Sequence, residues 1–260
     1  MKQKSIIKYP IFKELMINIK NFITKKQLII LITTIILTIC YYFMALYYVR
    51  ISTDRKNIVF FYIIFGSLFG DSIWLDFWQY IYQFLLAFIL FFVIPILIIK
   101  YYFKEDLKKY AFQWGNKKFN LIWTIIGICI APIFLFNNDP SLLHEYPLTR
   151  LVLDNIGLFI IYNAMYIFYY IGYEFIYRAY LQFGLINKNT KKELIVIISI
   201  QTIITTLFHI GKPLTEIVAA ALVGPLFGYL TLKGKSFVWP VLIFHSLIGI
   251  IQNIAPFIWL

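Results

Sequence analysis

The chain has 260 residues, of which 61% are hydrophobic and only 14% are charged. Soluble globular domains carry about 45–50% apolar and about 25% charged residues. A soluble fold of this length has too little interior to bury so much apolar surface. The composition therefore excludes most soluble classes and indicates a protein that crosses a membrane several times.

The net charge is +12, from 24 Lys and Arg residues against 12 Asp and Glu residues. Such an excess can indicate a nucleic-acid-binding protein. Here most lysines fall in four blocks between apolar segments, which is typical of loops on the cytoplasmic side of a membrane. We therefore expect the lipid bilayer as a partner and no nucleic acid. The blocks lie within 2–26, 100–118, 188–192 and 233–235.

Apolar runs of about 20 residues are long enough to cross the ~30 Å hydrocarbon core of a bilayer. The sequence predicts an all-α fold, a polytopic transmembrane helical bundle of about seven spans that forms a single domain over 28–260. The run 57–70 is too short to cross and is expected to be re-entrant or interfacial. The predicted spans are 28–49, 76–99, 120–137, 151–173 continuing toward 184, 194–212, 216–232 and 237–258.

With this count the lysine blocks share one side of the membrane, so the N-terminus is predicted to be cytoplasmic and the C-terminus outside. The loop that contains Asp139 and Glu145 would lie opposite. Richness in Lys, Ile, Asn, Tyr and Phe is typical of an A+T-rich bacterial genome, which places the predicted protein in a bacterial plasma membrane.

Residues 1–27 are predicted to form a basic amphipathic helix on the inner membrane surface. Ile11, Phe12, Leu15 and Ile19 recur at helical spacing and lysines surround them. An apolar stripe with a basic opposite face is typical of interfacial helices. A disordered basic tail is the alternative.

Ionisable residues inside apolar segments are the candidate functional residues, because charged groups are costly in hydrocarbon. Glu174 and Arg178 are four residues apart, which places both side chains on one face of a helix. His209 and His245 lie in later apolar segments. A structural ion pair and two core histidines would explain the same residues. However, a carboxylate and a histidine together can activate a water for attack on an amide.

The order of these residues resembles the CAAX protease and bacteriocin-processing family of intramembrane proteases, also called the Abi family. That family carries Glu-Glu-x-x-x-Arg, then Phe-x-x-x-His, then His-x-x-x-Asn or Asp. The stretch from Tyr173 to Asn253 carries the resemblance, including His209-Ile-Gly-Lys-Pro-Leu-Thr-Glu216, which is similar to one bacterial branch.

Three positions depart from the family motifs. Tyr173 stands where the family has its first glutamate, which is usually assigned as catalytic, and Thr205 stands where the second motif has phenylalanine. Gly249 stands where the third motif has Asn or Asp, and Asn253 lies one turn further on. Glu216 or Glu174 is the candidate to replace the missing acid.

The resemblance implies an intramembrane endopeptidase that hydrolyses a peptide bond of a membrane-associated, prenylated or otherwise lipidated protein or peptide. Glu174 and His209 are predicted to activate the water, while His245 stabilises the oxyanion or holds the same water. Arg178 would orient Glu174. Glu216 is a supporting residue, although a carboxylate in the first turn of a helix is also explained by the helix dipole. The metal dependence is open, since two histidines and a carboxylate are acceptable zinc ligands.

The departures also support a second interpretation, a catalytically inactive membrane binding protein that confers immunity to a secreted peptide. A transporter that uses the same residues as a proton relay is a third. The inverted repeat expected of a transporter is not apparent in the sequence.

Overall fold

The computed structural model describes residues 23–52, 55–69 and 73–260. These residues form a helical bundle with one small antiparallel hairpin, so the predicted all-α polytopic fold is confirmed. The elements are α1 (Lys25–Leu46), β1 (Tyr48–Ser52), β2 (Arg55–Ile58), α2 (Val59–Phe69), α3 (Trp74–Phe103), α4 (Lys117–Phe136), α5 (Pro140–Glu145), α6 (Ile156–Leu185), α7 (Lys191–Phe208), α8 (Leu214–Gly234) and α9 (Val238–Trp259).

Six helices, α1, α3, α4, α6, α8 and α9, are long and apolar enough to cross a membrane, against about seven predicted spans. The predicted span that does not qualify is 194–212. It corresponds to α7, which begins with Lys191, Lys192 and Glu193 and ends at Phe208. Its apolar part is therefore only about 15 residues, or roughly 22 Å, which is shorter than the ~30 Å hydrocarbon core. Helix α2 has 11 residues and is too short to cross, as the sequence predicts.

The predicted interfacial helix over 1–27 falls largely on residues 1–22, which lie outside the described residues. The first described helix begins at Lys25, where Thr24 and Gln27 form a reciprocal capping box. This pair satisfies backbone N–H groups at the start of α1 that would otherwise have no partner. The interfacial helix stays a prediction.

The lysine blocks, as far as the structure describes them, meet at one end of the bundle. Lys26 Nζ lies 2.6 Å from Glu105 Oε2, which joins the first block to the second. Gln27 donates to the carbonyl of Leu185, next to the third block. Asn120 donates to the carbonyl of Gly234 at 3.0 Å, which joins the second block to the fourth. The shared side that the sequence predicts is therefore present among the described residues.

The opposite end of the bundle carries the acidic loop. Thr215 Oγ1 donates to Asp139 Oδ2 at 2.9 Å, and Trp259 Nε1 donates to the carbonyl of Leu135 at 2.7 Å. Tyr146 reaches the first turn of α8 from the same loop. Contacts from three separate segments thus close this end over the interior of the bundle.

Helix α6 lies in the centre of the bundle. Every residue from Gly172 to Gln182 is buried, on all faces of the helix. A helix that is apolar and buried all round must be enclosed by other helices. Helix α6 therefore carries Glu174 and Arg178 into the protein interior rather than toward lipid.

Candidate active site

Glu174 lies at a change in helix geometry. The α-helical part of α6 ends at Glu174, and residues Phe175–Leu181 form a π-helical turn that contains Arg178. Such turns are uncommon and occur frequently at functional sites, because they re-aim side chains within a helix. The Arg178 Nε atom lies 3.4 Å from Glu174 Oε2, so the pair expected from the spacing is present.

His245, from α9, is held by the other oxygen of Glu174. The His245 Nδ1 atom lies 2.5 Å from Glu174 Oε1. An ionised carboxylate accepts hydrogen bonds and cannot donate them, so the Nδ1 atom of His245 carries the proton in this bond. The carboxylate is fully buried, whereas the His245 side chain is 22% exposed. Glu174 therefore orients His245 from behind, and the Nε2 side of the ring is turned away from the carboxylate.

His209 follows the last residue of α7. Its Nδ1 atom lies 2.6 Å from the carbonyl oxygen of Thr205. A carbonyl only accepts, so Nδ1 carries the proton and Nε2 of the neutral ring presents a lone pair. Burial, together with the nearby Lys212 ammonium, lowers the pKa of His209 to about 4. The imidazole is therefore neutral at neutral pH and can accept a proton.

Glu216, in the first turn of α8, faces His209. Its Oε1 atom lies 3.6 Å from His209 Nε2. The same oxygen accepts from Lys212 Nζ at 2.7 Å, and Tyr146 donates to Oε2 at 2.9 Å. No side chain caps the start of α8. The helix dipole alone therefore does not account for Glu216, because its carboxylate is bound by groups from two other segments.

These residues surround a cavity of about 140 Å³ between the helices. Glu174 is fully buried and lies behind this wall, in contact with His245 and Arg178. Most other lining groups are apolar. The ionisable side chains that line the cavity are Tyr170, Tyr173, Arg178, His209, Glu216 and His245.

The cavity brings together side chains from α6, from α9 and from the residue that follows α7. In the structure the Tyr173 ring lies 6.2 Å from the His209 ring and 5.6 Å from the His245 ring. Tyr173 thus joins the two histidines across one cavity.

Two departures from the family motifs have a structural explanation. Thr205 holds His209 through its backbone carbonyl, so that bond does not require the phenylalanine of the motif. A Cβ atom at Gly249 would lie 2.1 Å from the hydroxyl oxygen of Tyr170. The Tyr170 side chain therefore occupies the space that an Asn or Asp at position 249 would need.

Lys212 and Tyr146 are site residues that the sequence reasoning missed. Lys212 precedes Glu216 by four residues, a spacing that indicates an ion pair on a helix. That signal was present but lay across the proline that starts α8. Tyr146 lies 70 positions from Glu216, and its bond to the carboxylate has no sequence signature.

A zinc site is not supported by the residues that line the cavity. Within the described part of the chain, no three His, Cys, Asp or Glu side chains lie close enough together to hold a metal ion. Glu174 is engaged by His245 and Arg178, and Glu216 by Lys212 and Tyr146.

Residues 155–251 match the family model described as type II CAAX prenyl endopeptidase Rce1-like. The match extends from the start of α6 into α9 and contains Glu174, Arg178, His209, Glu216 and His245. No match to the chain was found among curated proteins or among solved structures. The resemblance drawn from the motifs is thus confirmed, and over residues 155–251 this multi-pass membrane protein is similar to the Rce1-like CAAX prenyl endopeptidases.

Proposed function

We propose that this protein is an intramembrane endopeptidase that hydrolyses a peptide bond by water activated at His209 and Glu216. One observation carries the proposal. The Nε2 atom of a buried, neutral histidine lies 3.6 Å from a carboxylate oxygen, and both residues line a cavity inside a membrane-spanning bundle. Imidazole and carboxylate together are a common general-base system for acyl transfer.

In this mechanism a water donates one proton toward His209 Nε2 while its oxygen attacks the carbonyl carbon of the substrate. The new C–O bond displaces the carbonyl π electrons onto oxygen, and His209 becomes an imidazolium. Glu216, held ionised by Lys212, stabilises that imidazolium at 3.6 Å. Collapse of the tetrahedral intermediate breaks the C–N bond, and His209 returns the proton to the leaving nitrogen. The products are an amine and a carboxylic acid, and the acid then loses its remaining water-derived proton to solvent.

We assign Glu174 a different part from the one expected from the sequence, in which it was predicted to activate the water together with His209. Its oxygens are directed at His245 and Arg178, and it is fully buried behind the cavity wall. We assign it the positioning of His245, in a buried cluster in which Arg178 balances its charge. Glu216 takes the role of the missing motif glutamate, because it is the carboxylate that reaches the cavity.

The substrate we propose is a membrane-associated peptide or protein terminus that carries a prenyl or other lipid group. The family model is named for CAAX prenyl endopeptidases, and a cavity between spanning helices suits a substrate that enters sideways from lipid. A second cavity of about 340 Å³ lies beside Tyr146 and Lys212, which adds room for a peptide. We place the protein in a bacterial plasma membrane with a cytoplasmic N-terminus, by the positive-inside rule.

The test is cleavage of a farnesylated peptide ending in a CAAX sequence by the full chain in liposomes, followed by mass spectrometry of the products. We expect the wild-type protein to cleave and His209→Ala to be inactive. Glu174→Gln should also lose activity, because it releases His245, which lines the cavity and which we propose holds the attacking water. Normal cleavage by both variants would contradict the catalytic assignment.

The alternative function, a non-enzymatic protein that confers immunity by binding a secreted peptide, is favoured by Tyr173 at the position of the first motif glutamate. The same experiment separates the two. Protection of cells from a secreted peptide that is unchanged in His209→Ala, with no cleavage by the wild-type protein, would support binding.

A further inference from the structure

Two buried hydrogen-bond donors in the cavity wall are not used by the fold. The Tyr173 hydroxyl and the Arg178 Nη1 atom have no hydrogen-bond partner of normal geometry among the described residues. The two side chains are only 1% and 3% exposed, and both line the cavity. Buried polar groups in native structures are nearly always paired, so two free donors at one site need an explanation.

The two donors are neighbours. The Arg178 guanidinium carbon lies 5.4 Å from the centre of the Tyr173 ring. The Tyr173 ring in turn lies near both histidine rings, 6.2 Å from that of His209 and 5.6 Å from that of His245. A group bound at the water-activating pair would therefore sit beside these donors.

His209 and Glu216 present acceptors to the cavity. His209 binds the Thr205 carbonyl through Nδ1, so its neutral ring presents an Nε2 lone pair on the side of Glu216. Glu216 is a carboxylate. The negative oxygen of a tetrahedral intermediate requires donors instead, which the neutral His209 ring and the Glu216 carboxylate do not supply.

We propose that the Tyr173 hydroxyl donates a hydrogen bond to the oxyanion of the tetrahedral intermediate and that the Arg178 guanidinium supplies positive charge beside it. This inference rests on the proposed function. When water attacks the carbonyl carbon, the π electrons move to the carbonyl oxygen, and the Tyr173 O–H bond points its hydrogen at that charge without transferring the proton. The oxyanion reverts to a carbonyl when the C–N bond breaks.

The assignment also explains the residue at position 173. The family motif has an acidic acceptor there, and this chain has a donor instead. With Glu216 supplying the carboxylate from α8, the side chain before Glu174 is free to stabilise the opposite charge. The hydrogen-bond acceptor, Glu216 on α8, and the donor, Tyr173 on α6, therefore line the same cavity from two different helices.

The experiment compares Tyr173→Phe with Tyr177→Phe, using the farnesylated CAAX peptide and the full chain in liposomes. Tyr177 is one turn further along α6, and its hydroxyl lies 2.9 Å from Thr38 Oγ1, in a bond that the fold uses. Loss of one oxyanion donor typically lowers kcat by about 10²–10³-fold. We expect that loss, with KM little changed, in Tyr173→Phe and less than about threefold change in Tyr177→Phe.

A second readout uses a phosphinic analogue of the peptide, in which a tetrahedral anionic phosphorus group replaces the scissile amide. Because a transition-state mimic reports the same interaction, its inhibition constant should weaken in Tyr173→Phe by a factor similar to the loss of kcat. The thermal stability of Tyr173→Phe should change little, since the removed hydroxyl makes no hydrogen bond of normal geometry in the fold.

The outcomes distinguish this inference from the proposed function. Cleavage by the wild-type protein with unchanged kcat in Tyr173→Phe would overturn the oxyanion assignment and leave the protease proposal intact. A rise in KM alone would also overturn it, because it would indicate binding of the ground state. Absence of cleavage by the wild-type protein would overturn both.

Discussion

His209 Nε2 lies 3.6 Å from Glu216 Oε1, although the two residues belong to different helices. His209 follows the end of α7, and Glu216 lies in the first turn of α8. The short loop between them folds back so that Lys212 also binds the carboxylate. This turn builds a base, its carboxylate partner and a charge-balancing cation within eight consecutive residues.

Replacing Glu216 by Gln should lower kcat by about 10²-fold or more, because the imidazolium formed on His209 loses its ionic partner. The measurement is the rate of peptide cleavage in liposomes. Glu105→Gln is the matched control. Glu105 also pairs with a lysine and a tyrosine, Lys26 and Tyr110, but at the opposite end of the bundle.

We expect Glu105→Gln to retain nearly wild-type cleavage. Equal losses of cleavage rate in the two variants would mean that Glu216 contributes only to the stability of the folded protein.

The pH dependence of kcat/KM should report the buried His209. Burial lowers its pKa to about 4, so the neutral, proton-accepting form persists as the pH falls from 7 to 5. The rate should then drop as the pH approaches 4, where the ring becomes protonated. If the pH profile of kcat/KM had its midpoint near the usual histidine pKa of about 6.5, the buried environment described for His209 would be contradicted.

Replacing Glu174 by Gln should destabilise the protein more than Glu216→Gln. Arg178 is 3% exposed, and removing Glu174 leaves its charge buried without an ionic partner, which costs roughly 3–5 kcal/mol. Lys212, the partner of Glu216, is 24% exposed and can be hydrated. Thermal unfolding in detergent measures both variants. Equal midpoints would show that the Glu174–Arg178 pair contributes little to the fold.

The bundle could be predicted from the sequence because each span is a long apolar run and the loops on one side are marked by lysines. The predicted shared end of the lysine blocks is present in contacts such as Lys26 with Glu105. The number of spans was less predictable. Helix α7 begins with charged residues, and a window of hydropathy does not separate a short embedded helix from a full span.

The sequence identified the site residues by their chemical type, but it did not predict the role of each residue. Glu174, His209 and His245 stood out because ionisable groups are rare in apolar segments. The carboxylate that reaches the cavity is determined by side-chain direction and by the π-helical turn after Glu174. Neither of these follows from the spacing of residues in the sequence. The contribution of Tyr146 depends on a contact between segments 70 residues apart.

Restoring the family residue by Gly249→Asn should damage the protein instead of improving it. A Cβ atom at position 249 would lie 2.1 Å from the Tyr170 hydroxyl oxygen, so the Tyr170 side chain or the helices that pack there would have to shift. Overpacking of this kind costs about 1–3 kcal/mol. We expect a lower unfolding midpoint and slower cleavage. A stable Gly249→Asn variant with higher activity would contradict the packing described for Tyr170.

The most direct test of the central claim is a double-mutant cycle of His209→Ala and Glu216→Gln, measured as kcat for the farnesylated CAAX peptide in liposomes. Residues that act as one catalytic unit lose nearly all of their effect together. We predict that the double variant is about as slow as His209→Ala alone. A double variant whose loss equals the product of the two single losses would show that the residues act independently and would contradict the account.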